Sequence, residues 1–145
     1  MSKWQSKEQL IQLLSSLVEI PSITGTEAEV ILPDFVVEQL SDLQYFKENP
    51  HHLQKNPTGD GRYFVTALVK KSDRTKNTVI LVSHFDVVDV QDYGVWKEDA
   101  FNPKKLTSMF YAHKDELPDH VREDIEQGEW LFGRGTMLSL IHISD

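Results

Sequence analysis

The run Thr78-Val-Ile-Leu-Val-Ser-His-Phe-Asp-Val-Val88 constrains the fold more than any other stretch of this chain. Five residues of β-branched and aliphatic character lead through Ser83 into a histidine, with an aspartate two places on. A run of this kind predicts a buried strand of a parallel or mixed sheet, because only a strand covered on both faces dispenses with polar alternation. In open α/β sheets, binding groups gather just beyond the carboxyl ends of such strands. Side chains two apart on extended backbone point the same way, so the His84 imidazole and the Asp86 carboxylate are expected to meet. A histidine held in this way is oriented for metal ligation, its tautomer fixed by the carboxylate.

By itself the pair carries little weight. Six histidines and twelve aspartates among 145 residues give about 0.5 His-x-Asp pairs by chance. A strand-end histidine satisfied by a neighbouring carboxylate is the competing reading. Asp86, Asp89 and Asp92 also raise the prospect of a calcium loop. An EF-hand needs alternating ligands, a central glycine and a closing glutamate, and Gly94 does not fit that pattern. Asp86 is therefore read as the partner of His84, and the other two as surface acids or helix caps.

Around this centre, Ser6-Lys-Glu-Gln9 has the form of a capping box, with Gln9 reaching back. Leu10, Leu13, Leu14 and Leu17 then mark an amphipathic helix that Pro21 ends. Thr26-Glu-Ala-Glu29 opens a second helix in the same way, and Pro33 inside it is expected to kink it or shift its start. Residues 49–57 read as a loop in which His51 and His52 are solvated. Adjacent residues diverge on a strand or a helix, so the two seldom chelate together. Residues 62–70 read as a strand, followed by a short polar return that predicts antiparallel pairing with the Thr78 strand. Residues 113–129 read as a solvated acidic insert, with Pro118 and Asp119 opening a helix that Gly128 closes. Trp130-Leu-Phe132 returns to strand character. Gly133 and Gly135 permit a tight turn beside a ligand, and Arg134 is assigned to structural support.

Composition narrows the chemistry. The net charge of −8 argues against nucleic acid, whose footprint is a basic patch. The chain has no cysteine, so any metal must take nitrogen and oxygen ligands, which suits a hydrolytic zinc or manganese site. No apolar run approaches the roughly 18 residues of a membrane span and no secretion signal is evident. The expectation is a cytoplasmic protein without a membrane partner.

Four stretches together resemble one family. Leu17-Val-Glu-Ile-Pro-Ser-Ile-Thr-Gly-Thr-Glu27 is similar to the opening helix and turn of the co-catalytic di-zinc metallopeptidases, the group of glutamate carboxypeptidase, aminoacylase and succinyl-diaminopimelate desuccinylase. Ser83-His-Phe-Asp-Val-Val88 resembles their first metal motif, Trp96 to Pro103 the segment after it, and Trp130 to Met137 the approach to the second metal motif. Phe85, the Asp89–Tyr93 segment and the acidic insert look most like the arginine-utilisation branch.

The resemblance implies an α/β fold. In it, this chain is the N-terminal part of a three-layer zinc-peptidase-like catalytic domain with a mixed, mainly parallel sheet and flanking helices. It also implies two zinc ions in the full-length form, with His84 ligating one and Asp86, counted with the catalytic residues, holding the ring. The activity implied is hydrolysis of amide bonds in small peptides or N-acyl amino acids, and a homodimer is compatible with the full-length form.

The pattern breaks after Met137. Where the family carries a metal-bridging aspartate, this chain has Leu138, which offers zinc no lone pair. Neither His142 nor Asp145 stands at the right offset to replace it. Residues 1–137 are accordingly read as the N-terminal part of the catalytic domain and 138–145 as a non-native tail. Other ligands and the general-base glutamate are expected downstream, so the chain itself is expected to be inactive. The alternative is a non-enzymatic α/β interaction module or pseudoenzyme.

Overall fold

In a computed structural model, residues 3–71, 77–128 and 130–136 are described. They fall into two compact units, one of Lys3 with Ser22–Asp86, the other of Trp4–Pro21 with residues 87–136. Residues 137–145, and with them Leu138, His142, Asp145 and the expected tail, lie outside the described residues.

The first unit is built on α2 (Glu27–Ser41), α3 (Gln44–Glu48) and a hairpin of β1 (Leu53–Pro57) and β2 (Tyr63–Ala67). The strands are antiparallel, with Leu53 opposite Ala67 and Pro57 opposite Tyr63. Residues 58–62 turn the chain, and Thr58 N–H donates to the Arg62 carbonyl at 3.0 Å. Gly59 and Gly61 both sit at φ 90°, a conformation that costs glycine little and other residues much. Helix α2 packs on both strands and buries Leu32 and Pro33, with Phe46 of α3 completing the small core. Lys55 fastens the hairpin to α2 through Asp34 at 2.6 Å, while its ammonium lies 4.0 Å from the Tyr63 ring centre.

The hairpin corrects two expectations. Residues 53–57 are a strand rather than loop, and β2 pairs with β1 rather than with the Thr78 segment. Leu-Gln-Lys-Asn-Pro has poor strand propensity, so its pairing comes from the tight turn and from packing against α2. Pro57 is tolerated because it ends a strand at the sheet's edge.

The Thr78 segment pairs with no strand among the described residues. Val79, Ile80, Leu81 and Val82 are 85, 79, 92 and 78% exposed. Since neighbouring side chains on extended backbone face opposite ways, both faces of the run are open.

The second unit holds α1 (Lys7–Val18), α4 (Pro103–Ala112) and α5 (Asp119–Glu126). Helix α1 begins as its sequence predicts: the Ser6 hydroxyl accepts from Gln9 N–H at 3.2 Å. The Gln9 side chain reaches one residue further back than a capping box requires, accepting from Gln5 N–H at 2.8 Å. Asn102 caps α4 by accepting from Lys105 N–H at 3.1 Å, with Pro103 in the first turn. The acidic insert forms α5 within the expected bounds, and Gly128 follows it at φ 74°. Asp119, Glu123 and Glu126 are exposed, Asp124 is half-buried, and Ile125 is fully buried. Trp130–Phe132 is not a strand. Its rings instead join a stack in which Phe132 lies 4.6 Å from Phe110, and Phe110 lies 5.5 Å from Trp96. Contact between half-exposed rings takes the place of ladder hydrogen bonds there.

Candidate functional site

His84 and Asp86 close the first unit's chain, and the structure brings them together as the side-chain parity requires. His84 Nδ1 lies 3.2 Å from Asp86 Oδ1 and 3.1 Å from the Asp86 carbonyl oxygen. Both partners accept, so a hydrogen bond to either one places the ring proton on Nδ1. In the neutral imidazole, Nε2 then carries the free lone pair, the form a metal-ligating histidine needs. The ring is more than half exposed.

Residues from the start of the unit support the pair. Thr24 Oγ donates to the second carboxylate oxygen of Asp86 at 3.0 Å. Ser22, buried, donates to the Phe85 carbonyl at 2.7 Å. An open cavity of about 290 Å³ beside them is lined by His84, Asp86, Ser83, Glu29, Arg62 and Tyr63 among others.

Glu29 is the member that sequence reasoning missed. Read as the closing residue of a capping box, it was expected to serve α2 alone. Its helix start is not a capping box: Thr26 makes no side-chain bond to the helix amides, and its hydroxyl donates backward to the Ile23 carbonyl at 2.7 Å. Glu29 is buried, accepts from Gly25 N–H at 2.5 Å, and faces Arg62 at 3.4 Å. Nothing local announces a partner 33 residues away. Arg62 is also held by Asp60 at 2.6 Å, so its charge is balanced twice over. That hydrogen bond, with one from Thr58, holds the Asp60 carboxyl well below the usual carboxylate range.

The other singled-out residues serve structure. His52 is half-buried rather than solvated: its Nδ1 meets the Tyr45 hydroxyl at 2.8 Å. Partial burial, then the nearby charges of His51 and Lys70, pull its pKa below the ordinary value. The His51 and His52 rings pack edge to face at 4.3 Å. In the second unit, Asp89 accepts from Gln91 N–H at 3.0 Å, a local cap. Asp92 pairs with Arg134, whose guanidinium also lies 4.6 Å from the Tyr93 ring. Arg134 is thus structural support, as its position suggested. Gly133 and Gly135 each lie close to a valine side chain of the same unit. A Cβ at Gly133 would meet Val18 Cγ1 at 3.1 Å, and one at Gly135 would meet Val87 Cγ1 at 3.1 Å.

A zinc site uses three or four protein donors. Among the described residues, no three histidine, aspartate or glutamate side chains converge as such a group. The His84–Asp86 pair supplies one oriented ring nitrogen. Among the described residues, no helix is long and apolar enough to cross a membrane.

Two proteins of Bacillus subtilis (strain 168) are similar to this chain. Uncharacterized protein YqjN is 51% identical over 134 residues, covering 92% of this chain and 24% of its own length. Protein RocB is 35% identical over 133 residues, covering 90% of this chain and 23% of its own length. The chain is thus related to RocB over most of its residues, and it spans about a quarter of the length of these curated relatives. No protein-family model matches the chain, and no solved structure matches it.

Proposed function

We propose that this chain is the portion of a zinc-dependent amidohydrolase that carries one metal-ligand histidine and the carboxylate that orients it. The class is the co-catalytic di-zinc metallopeptidase group, in its arginine-utilisation branch, with a small peptide or N-acyl amino acid as substrate. The three-layer α/β architecture and the two zinc ions belong to this reading. The observation that carries it is the contact of His84 Nδ1 with two acceptors of Asp86, which frees Nε2 for a metal. The relation to two much longer proteins supports it, since the remaining ligands would lie in sequence this chain does not share.

The test is a chimera in which residues 3–136 replace the matching portion of YqjN. Zinc content and hydrolysis of a panel of N-acyl amino acids are measured for the chimera, its parent and His84→Ala. The expected result is zinc in parent and chimera, with zinc and hydrolysis both reduced by His84→Ala. Unchanged zinc and turnover in His84→Ala, or no zinc in either parent or chimera, would refute the reading.

A second reading, a non-enzymatic α/β interaction module, is favoured by the exposed run Val79–Val82. It requires a cooperatively folding, monodisperse chain. A molten or aggregating product counts against it.

A further inference from the structure

We propose that Thr24 is a positioning residue for His84, acting through Asp86, with Ser22 anchoring the peptide between them. The metal-binding consequence rests on the reading above; the geometric claim does not.

A carboxylate held through one oxygen can still pivot about that contact, and engaging the second oxygen fixes its plane. Here Oδ1 takes the His84 contact at 3.2 Å and Oδ2 takes the Thr24 hydroxyl at 3.0 Å. The two bonds lie on opposite oxygens of one planar group, so fixing one aims the other. The backbone is fixed as well. Ser22 is 2% exposed, and its hydroxyl donates at 2.7 Å to the carbonyl of Phe85, the residue between histidine and aspartate. A buried hydroxyl satisfied by a carbonyl is costly to move, because separating them leaves both unpaired. The segment Ser22–Thr24 therefore holds a His-x-Asp turn more than 60 residues away at two points, one on backbone and one on side chain. His84 lies at a largely exposed position where packing cannot orient the ring. Hydrogen bonds must do so.

The readout is the histidine tautomer, from ¹⁵N imidazole spectra of the intact chain at a pH well above the ordinary histidine range. His84 is assigned by comparison with His84→Gln. In the wild-type chain its proton is expected on Nδ1. Thr24→Val, which keeps the branched shape and removes the donor, is expected to shift the population toward the Nε2–H form. Thr24→Ser restores the donor and should restore the Nδ1–H form. A general loss of structure would disturb the other histidines too, whereas the proposal requires that they keep their spectra.

A wild-type ring protonated on Nε2 would overturn the proposal before any variant is made. So would an unchanged tautomer in Thr24→Val, or a Thr24→Ser protein that behaves like Thr24→Val. These outcomes are independent of zinc content in the chimera, so the clamp can stand where the metal reading fails, and the reverse.

Discussion

Asp60 sits in the turn of the β1–β2 hairpin, where it accepts from Arg62 Nε and Nη2 and from the Thr58 hydroxyl. Its folded-state pKa is depressed, with the Arg62 hydrogen bond the largest cause. The sign follows from linkage. The contribution is present above the ordinary aspartate value and is lost as pH falls through the lower, folded-state value. Because the pair is half exposed, the effect on stability is small. Arg62→Gln should move the Asp60 carboxyl back toward the ordinary range in an NMR titration; no movement would mean the guanidinium is not the cause. Glycine offers a second residue-scale test. Gly59 and Gly135 share φ 90°, but only Gly135 has a neighbour that a Cβ would crowd. Gly135→Ala is expected to cost about 1 kcal/mol or more in urea unfolding, and Gly59→Ala less. Equal losses would show that backbone conformation, not the Val87 contact, sets the cost.

At the scale of elements, the two helix starts with capping-box sequences diverge. Ser6 accepts an amide of α1, while Thr26 accepts none from α2 and turns its hydroxyl toward Ile23. Ser6→Ala should therefore cost about 1 kcal/mol, and Thr26→Ala a smaller amount, measured by chemical denaturation. A larger loss at Thr26 would contradict the hydrogen-bond assignment. Glu29 explains the difference: its carboxylate is drawn to the Gly25 amide and to Arg62 across the unit. A local motif yields to a tertiary partner there, because a buried carboxylate without a cation is more costly than an uncapped amide at an exposed helix end.

For the whole molecule, the open run Val79–Val82 matters most. Four consecutive apolar side chains exposed on both faces, in a run that pairs with no strand among the described residues, invite association through strand pairing. Sedimentation velocity should show concentration-dependent self-association of the chain. Ile80→Asp with Leu81→Lys should suppress it without changing the far-ultraviolet circular dichroism of the helices. Association that persists in the double variant would place the sticky surface elsewhere.

Much of the local structure was legible in the residues. The apolar spacing and Ser6 located α1, Pro118 and Gly128 bounded α5, and the His84–Asp86 contact followed from the period of extended backbone. These features depend on neighbours a few places apart, so the sequence by itself determines them. The partner of β2, the strand at residues 53–57, the ion pair of Glu29 with Arg62 and the support of Asp86 by Thr24 were decided by the tertiary structure. Each joins residues that carry no mark of one another, through hydrogen bonds and charges whose value depends on burial and on which donor arrives first. The apolar run at Thr78 shows the same division: its composition calls for cover on both faces, but what supplies that cover is a matter of tertiary contact.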